Sequence, residues 1–363
     1  MNAQLLSLLI IEDEVAQLQI YNDAIDQFNK KNLVQIKQTI CKDFAEGEKA
    51  LLSPMYDAAI IDLKLSSSDA LEGKTLVEKV YQKIRIPIFI VSGSIAQIDD
   101  IPENALLRKK LRTELMSGIL LEIFDIYKTG ITSFLKPNGI IDQKLSEIFW
   151  NNLSSDIGLW IVANNTNTLL RYILSHFQEY LDINPDGDFE EYHPAEIYIT
   201  PPIKKNPHTG DLIEFQKELY LILTPACDIV IQGYRSNDSG LEMAPIRKAD
   251  KIVLAKVKQF NYKELCANKA GKLEKDKIKN FVTNQLYRYH YLPSFKNNDG
   301  FLVDFQELTS IYPNAVFNRV ASISAPFIKD IISRFSNYYS RQGQPTFQQE
   351  SIVTDLYNKN STK

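Results

Sequence analysis

Polar side chains that could carry out chemistry end four apolar runs of this sequence. They are Glu12 and Asp13 after 8–11, Asp62 after 58–61, Ser92 after 88–91, and Lys136 after 134–135. Carboxylate oxygens are the ligands that Mg²⁺ prefers in proteins. A hydroxyl group and an ammonium group suit the charge that builds up on the oxygens of a phosphoryl group during its transfer. The residue types therefore predict a site for metal-assisted phosphoryl transfer onto a carboxylate.

The elements that must position these residues are strands of one parallel sheet. Each apolar run has the pattern of a buried strand with its polar residue at the carboxyl end, where open α/β sheets place their ligand crevice. Strand and helix patterns alternate as far as about Trp150, as expected for right-handed βαβ units, and Ile140–Leu153 is predicted to be the closing helix. The sequence thus predicts a doubly wound parallel sheet.

The four strand ends, in this order, resemble the receiver domain of two-component response regulators over roughly residues 5–153. The resemblance implies a flavodoxin-like, five-stranded fold and a histidine kinase that phosphorylates Asp62. It implies a Mg²⁺ ion held by Glu12, Asp13 and Asp62, with the backbone carbonyl of Lys64 as a further ligand. Ser92 and Lys136 would then contact the phosphoryl group and help to catalyse its transfer.

Two departures from the family pattern lie near the carboxyl end of this region. Ser92 and Lys136 are 44 residues apart (136 − 92), roughly twice the usual spacing, and the extra residues fall in 99–128. The position three before the lysine is Ser133, where the family has an aromatic switch residue. We expect an intact phosphoacceptor site and an altered output face. The alternative is a pseudo-receiver that takes no phosphate and serves as a docking surface.

Composition predicts a globular protein of two domains. The chain has 363 residues, of which 44% are hydrophobic and 24% are charged. We expect a receiver domain at 1–155, a linker helix region at 156–183 and an output domain at 184–363. The three cysteines form no C-x-x-C pair and the longest N-terminal apolar run is short, which predicts a cytoplasmic protein without a membrane span.

The second half predicts an α+β domain in which a small β-barrel or curled sheet is flanked by helices. Short strand patterns separated by Pro, Gly and Asn occur at 197–203, 211–215, 219–224, 229–232, 252–257 and 300–305. Helical patterns occur at 262–289 and 318–340, the second with Pro326 as a predicted break.

Four residues of the second half could form a catalytic or metal site. His208, Asp211 and Asp228 offer metal ligands, and Cys227 could act as a nucleophile if a histidine lowered the pKa of its thiol. The opposing interpretation is that Cys227 is a small core residue, Asp228 caps a turn and Gly210-Asp211 enters a strand. A hydrolase or nuclease requires these residues to converge in space.

The charge distribution adds a basic stretch at 244–288, with 12 basic and 4 acidic residues. Such a surface attracts a phosphate backbone or the acidic receiver itself. No helix-turn-helix or aromatic–basic RNA motif accompanies it, so nucleic-acid binding is an alternative that the sequence does not favour. The segments 224–228, 288–293, 303–305 and 341–345 loosely resemble an uncharacterised bacterial domain found beside signalling and anti-phage components.

Together these observations predict a phosphorylated switch whose C-terminal output acts through protein–protein contact or oligomerisation, in a bacterial defence or stress module. The alternative is a phosphorylation-gated enzyme or nucleic-acid effector. A helical pattern at 106–127 offers an apolar stripe through which the protein could oligomerise. The stripe comprises Leu111, Leu115, Ile119, Leu120 and Ile123. The same stripe could pack on the receiver's own sheet, which the sequence favours.

Overall fold

The fold is taken from a computed structural model of the chain, which divides into two compact units, 1–190 and 191–363. The structure describes residues 5–53, 55–63, 72–80, 83–93, 103–163, 166–181, 187, 191–236, 243–294, 299–341 and 348–360. Lys64 and the first residues of the expected insertion, 99–102, lie outside the described residues.

The first unit is built on a parallel sheet of five strands in the order β2-β1-β3-β4-β5. Its elements are β1 (Leu5–Ile11), α1 (Val15–Lys31), β2 (Gln35–Cys41), α2 (Phe44–Leu51), β3 (Ala58–Asp62), α3 (Glu72–Val80), β4 (Ile88–Ser92), β5 (Leu107–Leu111) and α4 (Met116–Lys128). This order is that of the flavodoxin-like doubly wound fold. The predicted fold class is confirmed, and the first unit has the receiver fold.

Two apolar layers cover the sheet. On one face α1 and α4 pack against alternate strand residues, and on the other face α2 and α3 do so. All residues of β3 and β4 are buried, as continuous apolar strands between two helical layers must be. Ile119, Leu120 and Ile123 are buried in the first layer, so most of the predicted stripe packs on the receiver's own sheet.

The fifth strand is not where the sequence analysis placed it. The prediction that 134–137 forms this strand is wrong, because Ile131–Leu135 is a short helix (α5) and Leu107–Leu111 pairs with β4. The segment 107–128 is therefore no insertion: it supplies the fifth strand and the helix that follows it. The charged run Leu107-Arg108-Lys109-Lys110-Leu111 hides this strand from a search for apolar patterns.

After α5, the described residues of the first unit form a turn and then a series of helices: α6 (Ile140–Ile148), a π turn at Phe149–Leu153, a 3-10 turn at Ser154–Asp156, α7 (Ile157–Ala163) and α8 (Thr166–Glu179). The turn into α6 needs Gly139, because a Cβ atom there would lie 2.5 Å from the Ser133 carbonyl oxygen and 2.6 Å from that of Lys136. The Lys136-Pro137 motif belongs to this turn.

The second unit contains a seven-stranded sheet in the order β12-β13-β11-β8-β7-β14-β6, with antiparallel neighbours, and a two-stranded ribbon, β9-β10. The elements are β6 (Tyr198–Ile199), β7 (Asp211–Phe215), β8 (Glu218–Ile222), α9 (Ala226–Ile229), β9 (Gly233–Ser236), β10 (Met243–Ile246), β11 (Ile252–Gln259), α10 (Tyr262–Leu265), α11 (Lys275–Val282), β12 (Tyr289–Leu292), β13 (Phe301–Ile311), β14 (Asn318–Ile323), α12 (Ala325–Ser340) and α13 (Gln349–Asn360).

The seven-stranded sheet curls so that its two edge strands meet. The Tyr198 hydroxyl group on β6 donates a hydrogen bond of 2.7 Å to the carbonyl oxygen of Pro293, which directly follows β12. Tyr198 and Leu292 share one apolar core, which is covered by α12. The second unit is thus an antiparallel sheet with helices, and its predicted α+β class is confirmed.

Three element predictions in the second unit are wrong. Ile229 ends the short helix α9, and residues 229–232 form no strand. The predicted helix 262–289 divides into α10, α11 and the start of β12. Residues 318–323 form β14, and the helix begins only at Ala325 because Pro326 fits the first turn, where no backbone donor is needed.

Candidate functional site

The predicted acidic cluster forms at the carboxyl edge of the parallel sheet. One carboxylate oxygen from each of Glu12, Asp13 and Asp62 lies within 4.8 Å of the other two. Glu12 and Asp62 are buried, whereas Asp13 is exposed. The cluster is therefore a partly enclosed set of three oxygen donors that opens to solvent on one side.

The turn after β1 fixes Glu12. Its Oε1 atom accepts a hydrogen bond of 2.9 Å from the backbone N–H of Glu14, and its buried Oε2 atom has no hydrogen-bond partner. Burial, with the nearby Asp62 charge as a smaller cause, raises the pKa of Glu12 to about 7. A buried carboxylate oxygen that accepts no hydrogen bond and lies beside two further carboxylates fits a divalent cation.

A positively charged side chain also lies at the acidic cluster. The guanidinium group of Arg112, the residue after β5, lies 2.8 Å from Asp62 Oδ1, 2.8 Å from Glu14 Oε2 and 3.7 Å from Glu12 Oε2. These carboxylates raise the pKa of Arg112 although burial opposes the charged form. Arg112 thus supplies positive charge at the predicted phosphoacceptor.

Ser92 ends the neighbouring strand and lies at the same edge. It is buried, and its carbonyl oxygen accepts a hydrogen bond of 2.8 Å from the backbone N–H of Arg112. This bond continues the pairing of β4 with β5 by one residue, which fixes where the Arg112 side chain begins. Asp62, Ser92 and Arg112 therefore end three adjacent strands.

Lys136, predicted to bind the phosphoryl group, lies at the opposite edge of the sheet. Its ammonium nitrogen is 3.4 Å from Asp57 Oδ1, and Asp57 directly precedes β3. The buried Asp57 also accepts a hydrogen bond of 2.9 Å from the backbone N–H of Ser7. Lys136 therefore attaches the α5–α6 turn to the amino edge of the sheet, and its assignment to the phosphoacceptor site is corrected.

Arg112 was not predicted as a site residue, because the strand before it is charged and does not end in lysine. A usable signal was the spacing, since Arg112 follows Ser92 by 20 residues (112 − 92). The position three before Arg112 is Lys109, so the fifth strand has no aromatic residue there. Phe134, one residue after Ser133, lies on α5 and therefore outside this strand.

In the second unit, Asp211 performs a structural task. It is buried and its carboxylate accepts hydrogen bonds from Arg319 Nε (2.8 Å), the Ser322 hydroxyl (2.6 Å) and the backbone N–H of His208 (2.8 Å). These contacts join the turn before β7 to β14. The His208 ring contacts a backbone carbonyl oxygen, that of Thr209, at 3.2 Å.

Cys227 and Asp228 lie together on the short helix α9. The Cys227 thiol is exposed and donates to Asp228 Oδ1 at 3.3 Å. Within the described parts of the chain, the acidic cluster of the first unit is the only group of three or more His, Cys, Asp or Glu side chains that could hold a metal ion. The structure does not bring His208, Asp211, Cys227 and Asp228 into such a group.

The basic stretch 244–288 is partly neutralised by acids that lie outside it. Lys256 pairs with Glu218 at 3.3 Å, and Arg288 donates two hydrogen bonds, of 2.8 and 2.6 Å, to the buried Asp304. Burial alone would raise the pKa of Asp304, but these donors lower it. Two of the twelve basic residues therefore link strands: Lys256 joins β11 to β8, and Arg288, directly before β12, joins that strand to β13.

Comparison with known proteins finds receiver domains among the solved structures. Those from Methylobacillus flagellatus (19% identity, TM-score 0.26) and Methanospirillum hungatei JF-1 (17%, 0.27) align over 33% and 35% of this chain and 99% and 100% of their own lengths. The Mn²⁺-bound response regulator Rcp1 aligns at 16% identity and a TM-score of 0.26 over 36% of this chain and 98% of its own. No family model matches the sequence. No curated protein matches it either.

Among the described helices, none is both long enough and apolar enough to cross a membrane.

Proposed function

We propose that this protein is a response regulator in which Asp62 accepts a phosphoryl group from a phosphohistidine of a histidine kinase. The observation that carries the proposal is the geometry around Asp62, a buried carboxylate that shares one edge with two further carboxylates and a guanidinium group 2.8 Å away. Asp62 offers the nucleophile, while Glu12 and Asp13 complete a donor set of oxygens that suits Mg²⁺.

In the transfer step, an Oδ atom of Asp62 attacks the phosphorus atom of the donor. A P–O bond forms, the P–N bond to the imidazole breaks, and the leaving nitrogen keeps the electron pair and takes up a proton. When bound, Mg²⁺ neutralises charge on the phosphoryl oxygens. In this step the hydroxyl group of Ser92 donates a hydrogen bond to one of these oxygens.

Arg112 takes the part that the sequence analysis gave to Lys136. Its planar guanidinium group donates in two directions at once, to Asp62 and to Glu14. A phosphoryl group on Asp62 competes with Glu14 for these donors. We propose that the loss of the Arg112–Glu14 contact, at 2.8 Å in the unphosphorylated protein, is the first movement of the switch.

We propose that the second unit delivers the output through contact with another protein, in the cytoplasm of a bacterium and in a defence or stress pathway. The engagement of Asp211 by Arg319 and Ser322 supports a structural role for that residue over catalysis. The pairing of Lys256 with Glu218 and of Arg288 with Asp304 lowers the positive charge that a phosphate backbone would meet.

The experiment is intact-protein mass spectrometry after incubation of the full chain with Mg²⁺ and acetyl phosphate. We expect one phosphate-sized gain in mass for the wild type and for Lys136→Met, and no gain for Asp62→Asn. Arg112→Met should gain phosphate at least tenfold more slowly, because the developing charge then lacks its nearest cation.

Lys136→Met is the matched control for Arg112→Met, since both remove one cation from the same unit. No gain for the wild type with any acyl phosphate or phosphorylated kinase would refute phosphoryl acceptance and favour a pseudo-receiver. A slow rate for Lys136→Met together with a normal rate for Arg112→Met would refute the reassignment of the cation.

A further inference from the structure

A row of apolar side chains on α8 faces solvent in the first unit. Leu170 and Leu174 are 51% and 55% exposed, and Leu181 in the following turn is 62% exposed. With the half-buried Phe177 they are spaced by 4, 3 and 4 residues. This is the spacing of one seam of a coiled coil, in which apolar side chains meet those of another helix. We call these four residues the α8 stripe.

The opposite side of α8 already has neighbours within the first unit. Tyr172 stacks on Trp160 of α7 with ring centroids 4.6 Å apart, and the ammonium group of Lys144 on α6 lies 4.8 Å from the centroid of the Tyr180 ring. These contacts fix the rotation of the helix about its axis. The α8 stripe is therefore directed away from α6 and α7.

Further exposed apolar side chains flank α8 in sequence. Six large ones lie between 149 and 162: Phe149, Trp150, Ile157, Leu159, Ile161 and Val162. They belong to the π turn and to α7, so the exposed apolar surface of α8 itself is the α8 stripe.

The α8 stripe is complementary to itself. If two copies of α8 cross antiparallel about a two-fold axis near 175–176, Leu170 lies opposite Leu181, and Leu174 lies opposite Phe177. The same arrangement brings Arg171 close to Glu179 of the second copy, and these are the only Lys, Arg, Asp or Glu residues between 157 and 181. A two-fold axis uses the same patch on both copies, so each such contact occurs twice.

We propose that the protein is a homodimer in which the α8 stripes of two copies pack antiparallel, with an Arg171–Glu179 ion pair at each end. The occupant of this surface is thus a second copy of the same chain. The contact involves no residue of the acidic cluster. Its existence therefore does not depend on phosphoryl transfer to Asp62.

Sedimentation equilibrium of the full chain, without phosphodonor, tests the proposal. We expect the wild type to be a dimer at micromolar concentrations, and Leu174→Glu to dissociate at least tenfold more readily. Leu33→Glu, at a residue 94% exposed between α1 and β2, is the matched control and should stay a dimer. Circular dichroism checks that each variant is folded. A monomeric wild type at 100 µM, or a Leu174→Glu dimer as tight as the wild type, would overturn the proposal.

A charge exchange tests the antiparallel arrangement. Arg171→Glu and Glu179→Arg should each weaken the dimer several-fold, because each creates two like-charged contacts. The double variant, with the charges exchanged, should recover most of the wild-type affinity. Absence of that recovery would overturn the antiparallel pairing, since a parallel pair does not bring positions 171 and 179 together.

Discussion

The buried Glu12 makes the stability of the metal-free first unit depend on pH. The pKa of this group is about 7 in the folded protein, against an ordinary value of 4.5. The folded state therefore binds the proton more tightly than the unfolded state. The stabilising contribution of Glu12 is fully present below pH 4.5 and is lost as the pH rises through 7.

The expected size of this loss follows from the difference of 2.5 between those two pKa values. At 1.36 kcal/mol per unit, the free energy of unfolding falls by about 3 kcal/mol between pH 4.5 and pH 8 because of this group alone. For a unit of this size, this corresponds to a decrease in Tm of about 10 °C. The variant Glu12→Gln keeps the shape of the side chain and removes the titration.

The assay is thermal unfolding of the wild type and Glu12→Gln from pH 4.5 to pH 8, first with EDTA and then with Mg²⁺. Subtracting the two curves removes every titration that both proteins share. With EDTA, the wild type should lose stability relative to the variant as the pH rises. With Mg²⁺ it should recover above pH 7, since the ion binds the ionised carboxylate. If the Tm values of the two proteins in EDTA changed equally with pH, the predicted contribution of Glu12 to the pH dependence would be refuted.

The remaining predictions concern single side chains. Lys136→Met should lower the free energy of unfolding by at most about 1 kcal/mol, because its ion pair with Asp57 is partly exposed; a larger loss on urea denaturation would contradict this. Asp211→Ala should lower the free energy of unfolding by about 3–5 kcal/mol in the same assay, since it leaves the largely buried Arg319 without its ion pair. A decrease below about 1 kcal/mol would show that this ion pair is dispensable. Burial, aided by the nearby Arg334 charge, lowers the pKa of His290 from 6.5 to about 3. The folded state therefore binds the proton less tightly than the unfolded state, and the free energy of unfolding decreases as the pH falls below 6.5. Between pH 7 and pH 4 the second unit should lose about 3 kcal/mol from this group, and His290→Gln should flatten that dependence in pH-dependent urea titrations.

Local patterns in the sequence were sufficient for three of the five strands of the receiver fold, β1, β3 and β4. Buried strands between two helical layers must be apolar along their length, so 8–11, 58–61 and 88–91 are recognisable without a structure. Their polar ends then identify Glu12, Asp13, Asp62 and Ser92, because parallel strands present their carboxyl ends at one edge.

The fifth strand escaped this reasoning because it lies at the edge of the sheet, where one side of each strand is open. Its residues Arg108 and Lys110 are tolerated because Glu122 on α4 pairs with both. That neutralisation depends on a residue twelve or more positions away, which no local pattern reveals. The Lys136-Pro137 motif had the expected residue types, but the turn at Gly139 places it at the opposite edge.

The second unit shows the same division between local and long-range causes. The short strand patterns at 211–215 and 252–257 were enough to predict strands, but 318–323 became a strand only through pairing with β7 across more than a hundred residues. The sequence by itself therefore determined the residue types at the acidic edge and the class of both units. Tertiary structure decided that Arg112, and not Lys136, meets Asp62, because a side chain's partner depends on which strand ends beside it in space.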